Sequence, residues 1–395
     1  MREDNRGLKE KVKKEIDKRS GKLEEIGRRI YDNPELKFEE REAAKWLTEA
    51  LEEEGFSVER GIGELETAFL ARCPKGQEEG PTVAYLSEYD ALPGLGHACG
   101  HNLIANIGLG AGLGLCSVAE ELRGQVLVIG TPAEEGGGGK VELLDAGIFE
   151  EVDVAMMVHP ADINLVGRGS LGVQELKFDF HGKASHAASQ PEDGINALDA
   201  AISTFNNVNA LREHTKESSR IHGIITDGGE KPNIVPEHAG ARFYVRAEEL
   251  DDLTELLEKV KNCARAGALA TGVELEIKEE GRLYEPMKPN QHLADLFRSN
   301  LEELGEEVQE HGSGMGSTDM GNVSQVVPAI HPYIKIAEEG TPAHSKAFAE
   351  AADSEEGYSA MITAAKGLAM TGVDILEDEE EFGAVRKAFE GGVAR

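Results

Sequence analysis

At 395 residues, with 40% hydrophobic and 29% charged side chains, the chain is long enough for two domains and ordinary in composition for a globular protein. Its charge is not ordinary. Seventy-four acidic residues against 41 basic ones leave a formal −33, which argues against nucleic acid and anionic membranes as partners, because both repel such a surface. A solvated acidic surface explains this balance, as would a salt-adapted host. The four cysteines (73, 99, 116 and 263) are sparse and unpatterned and do not read as a disulfide framework. The first 19 residues hold no apolar leader, and the longest apolar run, 103–119, is broken by Asn106 and four glycines. A reducing, cytoplasmic compartment is expected.

In chain order, residues 8–30 and 39–55 have the pattern of helices. Ala43, Trp46, Leu47, Ala50 and Leu51 recur at helical spacing in the second, with Gly55 as its stop. Short apolar strands are expected at 67–72, 82–87, 125–130 and 152–158. A helix at about 103–120 carries Gly108/Gly112 and Gly110/Gly114, small residues at a spacing that allows close approach to a sheet. Strands alternating with helices point to an α/β layered sheet. From 173 the pattern changes to strand, helix (193–212), two strands (220–226 and 239–247), helix (249–268) and strand (272–279). That order is the βαββαβ, ferredoxin-like unit. The segment 281–290, with two prolines, reads as the return to the first domain. A helix near 291–304, the glycine-rich HGSGMGSTDMGN, a strand at 329–336 and a final helix after TPAHS complete the chain. The expected domains are 1–172 with 286–395, and an inserted 173–285.

Chemistry-bearing residues gather where strands end, the edge at which open α/β sheets bind ligands. LSEYDALPG presents Glu88 and Asp90; GHACGHN presents His97, Cys99 and His101; TPAEEGGGGK presents Glu134 and Glu135; HP presents His159; TPAHS presents His344. Sulfur, imidazole and carboxylate are the donors of zinc-type sites. Two adjacent glutamates cannot both reach one ion from an extended chain, so one as ligand and the other as general base divides the labour that metal-assisted hydrolysis requires. GGGGK lacks the frame of a phosphate-binding loop. Taken singly, each group has a plainer use as a hydrogen-bonded or surface residue, and Cys99 could instead be a nucleophile activated by histidine.

The ordered series NPELKFEE, EYDALPG, GHACGHN, GTPAEEGGGGK, VHP, GKASHAA, NIVP…VR and TPAHS resembles the M20 metallopeptidase family nearly end to end. Within it, the chain looks like the amidohydrolase branch of p-aminobenzoyl-glutamate hydrolases and β-alanyl-lysine dipeptidases (aminoacylase-1-like 2). The resemblance implies an α/β, two-domain architecture: a mixed-sheet, two-metal catalytic domain with an inserted ferredoxin-like lid that also dimerises. It implies metal ligands Cys99, His101, Glu135, His159 and His344, with Glu134 as general base and Asp90 orienting a ligating histidine. From the lid, His186 would stabilise the oxyanion, while Asn233 and Arg246 would hold the substrate carbonyl and carboxylate, an arginine fork suiting a carboxylate. Departures are Glu88-Tyr89-Asp90 where many members have His-x-Asp, and Asn102 after CGH, which with GSTDMGNVS favours the aminobenzoyl-glutamate and dipeptidase side and brings Asp319 near the site. His97 is assigned a hydrogen-bonding role behind the ligands.

The expected protein is a homodimeric metal-dependent amidohydrolase or peptidase. It would use two divalent ions (zinc or manganese, with cobalt or nickel as alternatives) to cleave the amide bond of an N-acyl amino acid or small dipeptide, for example of aminobenzoyl-glutamate type or, alternatively, β-alanyl-lysine type. Nucleic acid and membrane are not expected partners. The rivals are a cysteine-nucleophile hydrolase, insensitive to chelators, and an inactive binding homologue, disfavoured by retention of both glutamates.

Overall fold

The computed structural model describes residues 3–77, 79–309 and 316–391, and the chain divides into two compact units. The first takes the chain up to Gly169, resumes at Met287 and includes the described residues from Asp319 onward; the second is Ser170–Pro286 with a short stretch ending at Thr318.

The first unit opens with α1 (Glu3–Asp32) and α2 (Arg41–Glu53), followed by β1 (Ser57–Arg60), β2 (Phe69–Arg72), β3 (Thr82–Ser87), α3 (His101–Cys116), β4 (Gln125–Gly130), α4 (Gly139–Asp145), β5 (Val154–Met156) and β6 (His159–Ala161). The second unit contributes β7 (Gly172–His181), α5 (Ala197–Leu211), β8 (Arg220–Asp227), β9 (His238–Ala247), α6 (Leu250–Thr271) and β10 (Glu274–Tyr284). The first then resumes with α7 (Gln291–Glu303), α8 (Met320–Val326), β11 (Ala329–Ile330), β12 (Tyr333–Lys335), α9 (Lys346–Ala351), α10 (Glu355–Glu377) and α11 (Glu379–Glu390).

The main sheet has the order β1-β2-β4-β3-β5-β11. Its first two pairings are antiparallel, whereas β4, β3, β5 and β11 run parallel. This mixed sheet matches the expected fold class, and the parallel part brings the ends of β3, β4, β5 and β11 to one edge. Against it lies α3, buried along its whole length. Its two glycine pairs serve different neighbours. A Cβ on Gly112 would collide with Val128 Cγ2 and one on Gly108 would meet Leu86 O at 2.8 Å, so this pair lets α3 onto the sheet. Gly110 and Gly114 face the other way, toward Leu23 and Ile16 of α1 and Ala365 and Ala369 of α10.

In the second unit the order β10-β7-β9-β8 is antiparallel throughout, with α5 and α6 packed on one core of Phe178, Phe180, Phe243 and Val260. The chain order βαββαβ with this strand order is the ferredoxin-like arrangement.

Three expectations change. The cysteines do form one crosslink: Cys73, just beyond β2, is bonded to Cys116, the last residue of α3, with Cα atoms 5.8 Å apart. Forty-three residues separate them, so sequence spacing gave no hint, and the cysteine argument for a reducing compartment falls away. The strand expected at 329–336 is two short strands, split at His331-Pro332 because proline cannot supply a ladder N–H. The single final helix is three. The first five residues of the glycine-rich stretch, 311–315, lie outside the described residues. No helix among the described residues is long and apolar enough to cross a membrane.

Candidate metal centre

The residues at the parallel edge converge. Cys99 belongs to two triplets whose possible ligand atoms all lie within 4.8 Å of one another, one with His101 and His159 and the other with Glu135 and His344. A third triplet joins His101, Glu134 and Glu135. All five expected ligands and the expected base are thus drawn together, with Cys99 shared between two groups.

Local structure explains each placement. Gly100 caps α3 with φ of 78°, and a Cβ there would come within 2.8 Å of Pro160 Cγ. Only glycine allows GHACGHN to turn into the helix while seated against the His159-Pro160 loop. His101 Nδ1 donates to Asp90 Oδ1 at 3.0 Å, leaving Nε2 buried and without a hydrogen-bond partner. His159 Nδ1 donates to the Pro160 carbonyl at 2.7 Å, which likewise leaves Nε2 as the free lone pair. His344 Nε2 stands 2.7 Å from Cys99 Sγ and 3.4 Å from Glu135 Oε1. Its backbone, at φ of 59°, is pinned by an N–H bond to Ala98 O. Asp90 does two jobs, because its second oxygen accepts the Glu135 N–H at 2.9 Å.

The electrostatics suit a cation. Burial opposes charging of His101, but the Asp90 carboxylate overrides it and raises the affinity of the ring for a positive charge. Burial works against ionised Glu135, yet His344 and His101 draw its pKa down to about 2. Glu134 is pushed well upward by burial and by the Glu88, Glu135 and Asp319 carboxylates, the direction a general base needs. Burial also raises the Cys99 thiol, which disfavours it as an unassisted nucleophile. Besides His101 Nε2, Glu135 Oε1 is a buried atom without a hydrogen-bond partner. Unsatisfied buried nitrogen and oxygen atoms of this kind, beside the Cys99 sulfur, fit one or more divalent ions.

Sequence reasoning missed several neighbours. Lys140, at the end of the glycine run, is completely buried and bridges Glu88 (2.5 Å) and Asp319 (2.6 Å), so Asp319 does lie beside the site, as part of an ionic cluster. Its ammonium is retained because the two carboxylates outweigh burial. His331 and Tyr333 pack their rings 5.4 and 5.8 Å from that of His159. The repeated HP dipeptide, once after β5 and once after its neighbour β11, was the available signal. His97 instead bonds to Ile30 O at 3.1 Å and touches no ligand by hydrogen bond.

The remaining expected residues belong to the second unit. His186 is exposed, and its Nδ1 accepts from the Ala188 and Ser189 N–H groups, both at 3.3 Å, which puts the ring proton on Nε2. Asn233 lies beside it, its carbonyl accepting the Ala187 N–H at 3.0 Å. Arg246, on β9, donates to Ser317 Oγ at 2.8 Å, keeps Nε without a partner and meets no carboxylate among the described residues.

Comparison with known proteins agrees with the motifs. A family model described as Peptidase family M20/M25/M40 matches residues 84–367. The chain is 42% identical to the Xaa-Arg dipeptidase of Mus musculus over 97% of its own length and 92% of the relative's. It is 34% identical to one of the subunits of the p-aminobenzoyl-glutamate hydrolase of Escherichia coli over 71% of its length and 62% of the relative's. Among solved structures, a dinuclear metal-binding peptidase of the M20 family from Bacillus subtilis superposes with a TM-score of 0.71 at 23% identity, covering 90% of this chain and 98% of that one. The chain therefore belongs to peptidase family M20/M25/M40, and it is a metal-dependent hydrolase of peptide and amide bonds.

Proposed function

We propose that the protein is a dipeptidase for small substrates with a free carboxylate and a cationic C-terminal residue. The observation that carries the catalytic part is the sharing of Cys99 between two ligand triplets with Glu134 beside them. Cys99, His101, Glu135, His159 and His344 would hold two divalent ions; a thiolate among imidazoles and a carboxylate suits zinc, while geometry and availability would select manganese, cobalt or nickel as alternatives. The ions, when bound, polarise the scissile carbonyl and make water acidic enough to be deprotonated near pH 7. Glu134 takes the water proton and returns it to the leaving amine, the task for which its raised proton affinity fits it. His186 presents an Nε2–H donor, the form an oxyanion requires. Arg246, with no carboxylate partner among the described residues, would bind the substrate's, while Asn233 would hold its carbonyl.

Two observations support a cationic substrate: the Xaa-Arg dipeptidase relative and the net charge of −33, which concentrates cations near the surface. An aminobenzoyl-glutamate substrate is the second reading, favoured by the 34%-identical E. coli relative. A homodimer through the second unit is also proposed. Strand β8 ends that sheet, and Ile224 and Ile225 on it are 63% and 42% exposed.

The test is elemental analysis of wild-type and Cys99→Ala protein, paired with hydrolysis of Xaa-Arg dipeptides, β-alanyl-lysine, p-aminobenzoyl-glutamate and N-acetyl amino acids. Two ions per chain, lost with activity in the variant, and a preference for C-terminal arginine or lysine are expected. Hydrolysis by metal-free wild type would overturn the metal mechanism, and preference for the glutamate conjugate would overturn the substrate class.

A further inference from the structure

Ala133, directly before the two site glutamates, is completely buried and has φ of 62°, a left-handed conformation unfavourable for a residue with a Cβ. Strain of this kind at a reactive turn persists only where its surroundings enforce it. Here its carbonyl accepts the N–H groups of Gly137 (3.0 Å) and Gly138 (2.9 Å). Its own N–H donates to Glu40 Oε1 at 2.9 Å, across 93 residues of sequence. The same oxygen accepts the N–H of Phe38 at 2.9 Å, and Phe38 is also left-handed, with φ of 62°. Glu40 Oε2 accepts from Thr67 Oγ1 at 2.9 Å. Glu40 is fully buried, and no lysine or arginine among the described residues pairs with it. One carboxylate oxygen thus secures two of the four non-glycine residues with positive φ among the described residues.

We propose that Glu40 is a positioning residue for the general base. By holding Ala133 left-handed, it sets the turn from which the adjacent Glu134 and Glu135 both reach His101. The inference rests on the reading of Glu134 as base. The Glu134–Glu135 segment is braced on both sides, by Glu40 at the Ala133 N–H and by Asp90 at the Glu135 N–H. Removing Glu40 frees the end that carries the base and leaves the ligand end held, so turnover suffers more than metal binding.

The test compares Glu40→Ala, Glu40→Gln and Glu40→Ala/Ala133→Gly in the metal-loaded enzyme, reading kcat, KM and metal content. Glu40→Ala is expected to lower kcat by about 100-fold, as misplacement of a catalytic group by about 1 Å does, with KM and metal content near wild type. Glutamine is expected to restore most of the rate, since its carbonyl keeps both N–H bonds and its NH₂ donates to Thr67 Oγ1. Glycine at 133 adopts positive φ without strain and should recover at least about tenfold of the loss. Glu40→Asp keeps the carboxyl group and shortens the reach by one methylene; it replaces Glu40→Ala if that variant does not fold. Wild-type kcat in Glu40→Ala, equal loss in the alanine and glutamine variants, or no recovery with glycine would each overturn the proposal. Glu134→Gln separates the two failures: full turnover there sinks the base itself, whereas its loss beside an active Glu40→Ala sinks only the positioning.

Discussion

Glu40 also makes stability depend on pH. Burial, reinforced by the Asp90 charge, raises its pKa to about 7 against an ordinary 4.5. The folded state therefore holds a proton that the unfolded chain has released between pH 4.5 and 7, and folding stability contributed by this group falls as pH rises through that window. With 1.36 kcal/mol per pKa unit, the loss amounts to roughly 3 kcal/mol. Glu40→Gln is expected to show a smaller decline in urea-unfolding free energy from about pH 4.5 to about pH 8 than wild type; parallel profiles would refute the assignment. At this scale the sequence was legible where motifs repeat a known order, as in GHACGHN or the adjacent glutamates. It was illegible where a side chain acts across the fold. Glu40 stands in NPELKFEE with nothing nearby to suggest a role, and Lys140 looks like the end of a glycine run, because their partners are 93 residues from Glu40 and 52 and 179 residues from Lys140.

Among the elements, α3 shows why spacing alone informs only partly. Its paired glycines announced close packing, but not that one pair meets the sheet and the other meets α1 and α10. Gly112→Ala is expected to destabilise by about 1–3 kcal/mol, the usual cost of overpacking, because its Cβ would overlap Val128. A thermal midpoint equal to wild type would contradict the packing. The Cys73–Cys116 bond joins the far end of the same helix to the end of β2. Closing a 43-residue loop limits the unfolded chain by up to about 4 kcal/mol. Cys73→Ser/Cys116→Ser should unfold at correspondingly lower urea, and unchanged stability would show that the crosslink does not form in solution. β3 and β4 were readable to the residue from their apolar runs, whereas β11 and β12 were not, because His331-Pro332 interrupts an otherwise continuous apolar stretch.

For the whole molecule, the alternation of strands and helices followed by βαββαβ was enough to read the α/β class. Assembly was not readable from pattern, since an edge strand looks like any other until its neighbours are known. With Ile224 and Ile225 exposed on β8, Ile224→Lys/Ile225→Lys is expected to halve the mass found by light scattering; a monomeric wild type would refute the dimer. The complete burial of α3 has a dynamic consequence. With no solvent-facing side and its last residue crosslinked, this helix has no local route to fraying, so its amide hydrogens should exchange with deuterium only when the first unit opens as a whole. Cys99 and His101 stand at the start of that slowest-exchanging segment, while His344 and Gly136 reach the surface. The centre thus has a slowly exchanging floor and a solvent-facing rim, so whatever it holds is expected to enter and leave by way of the rim.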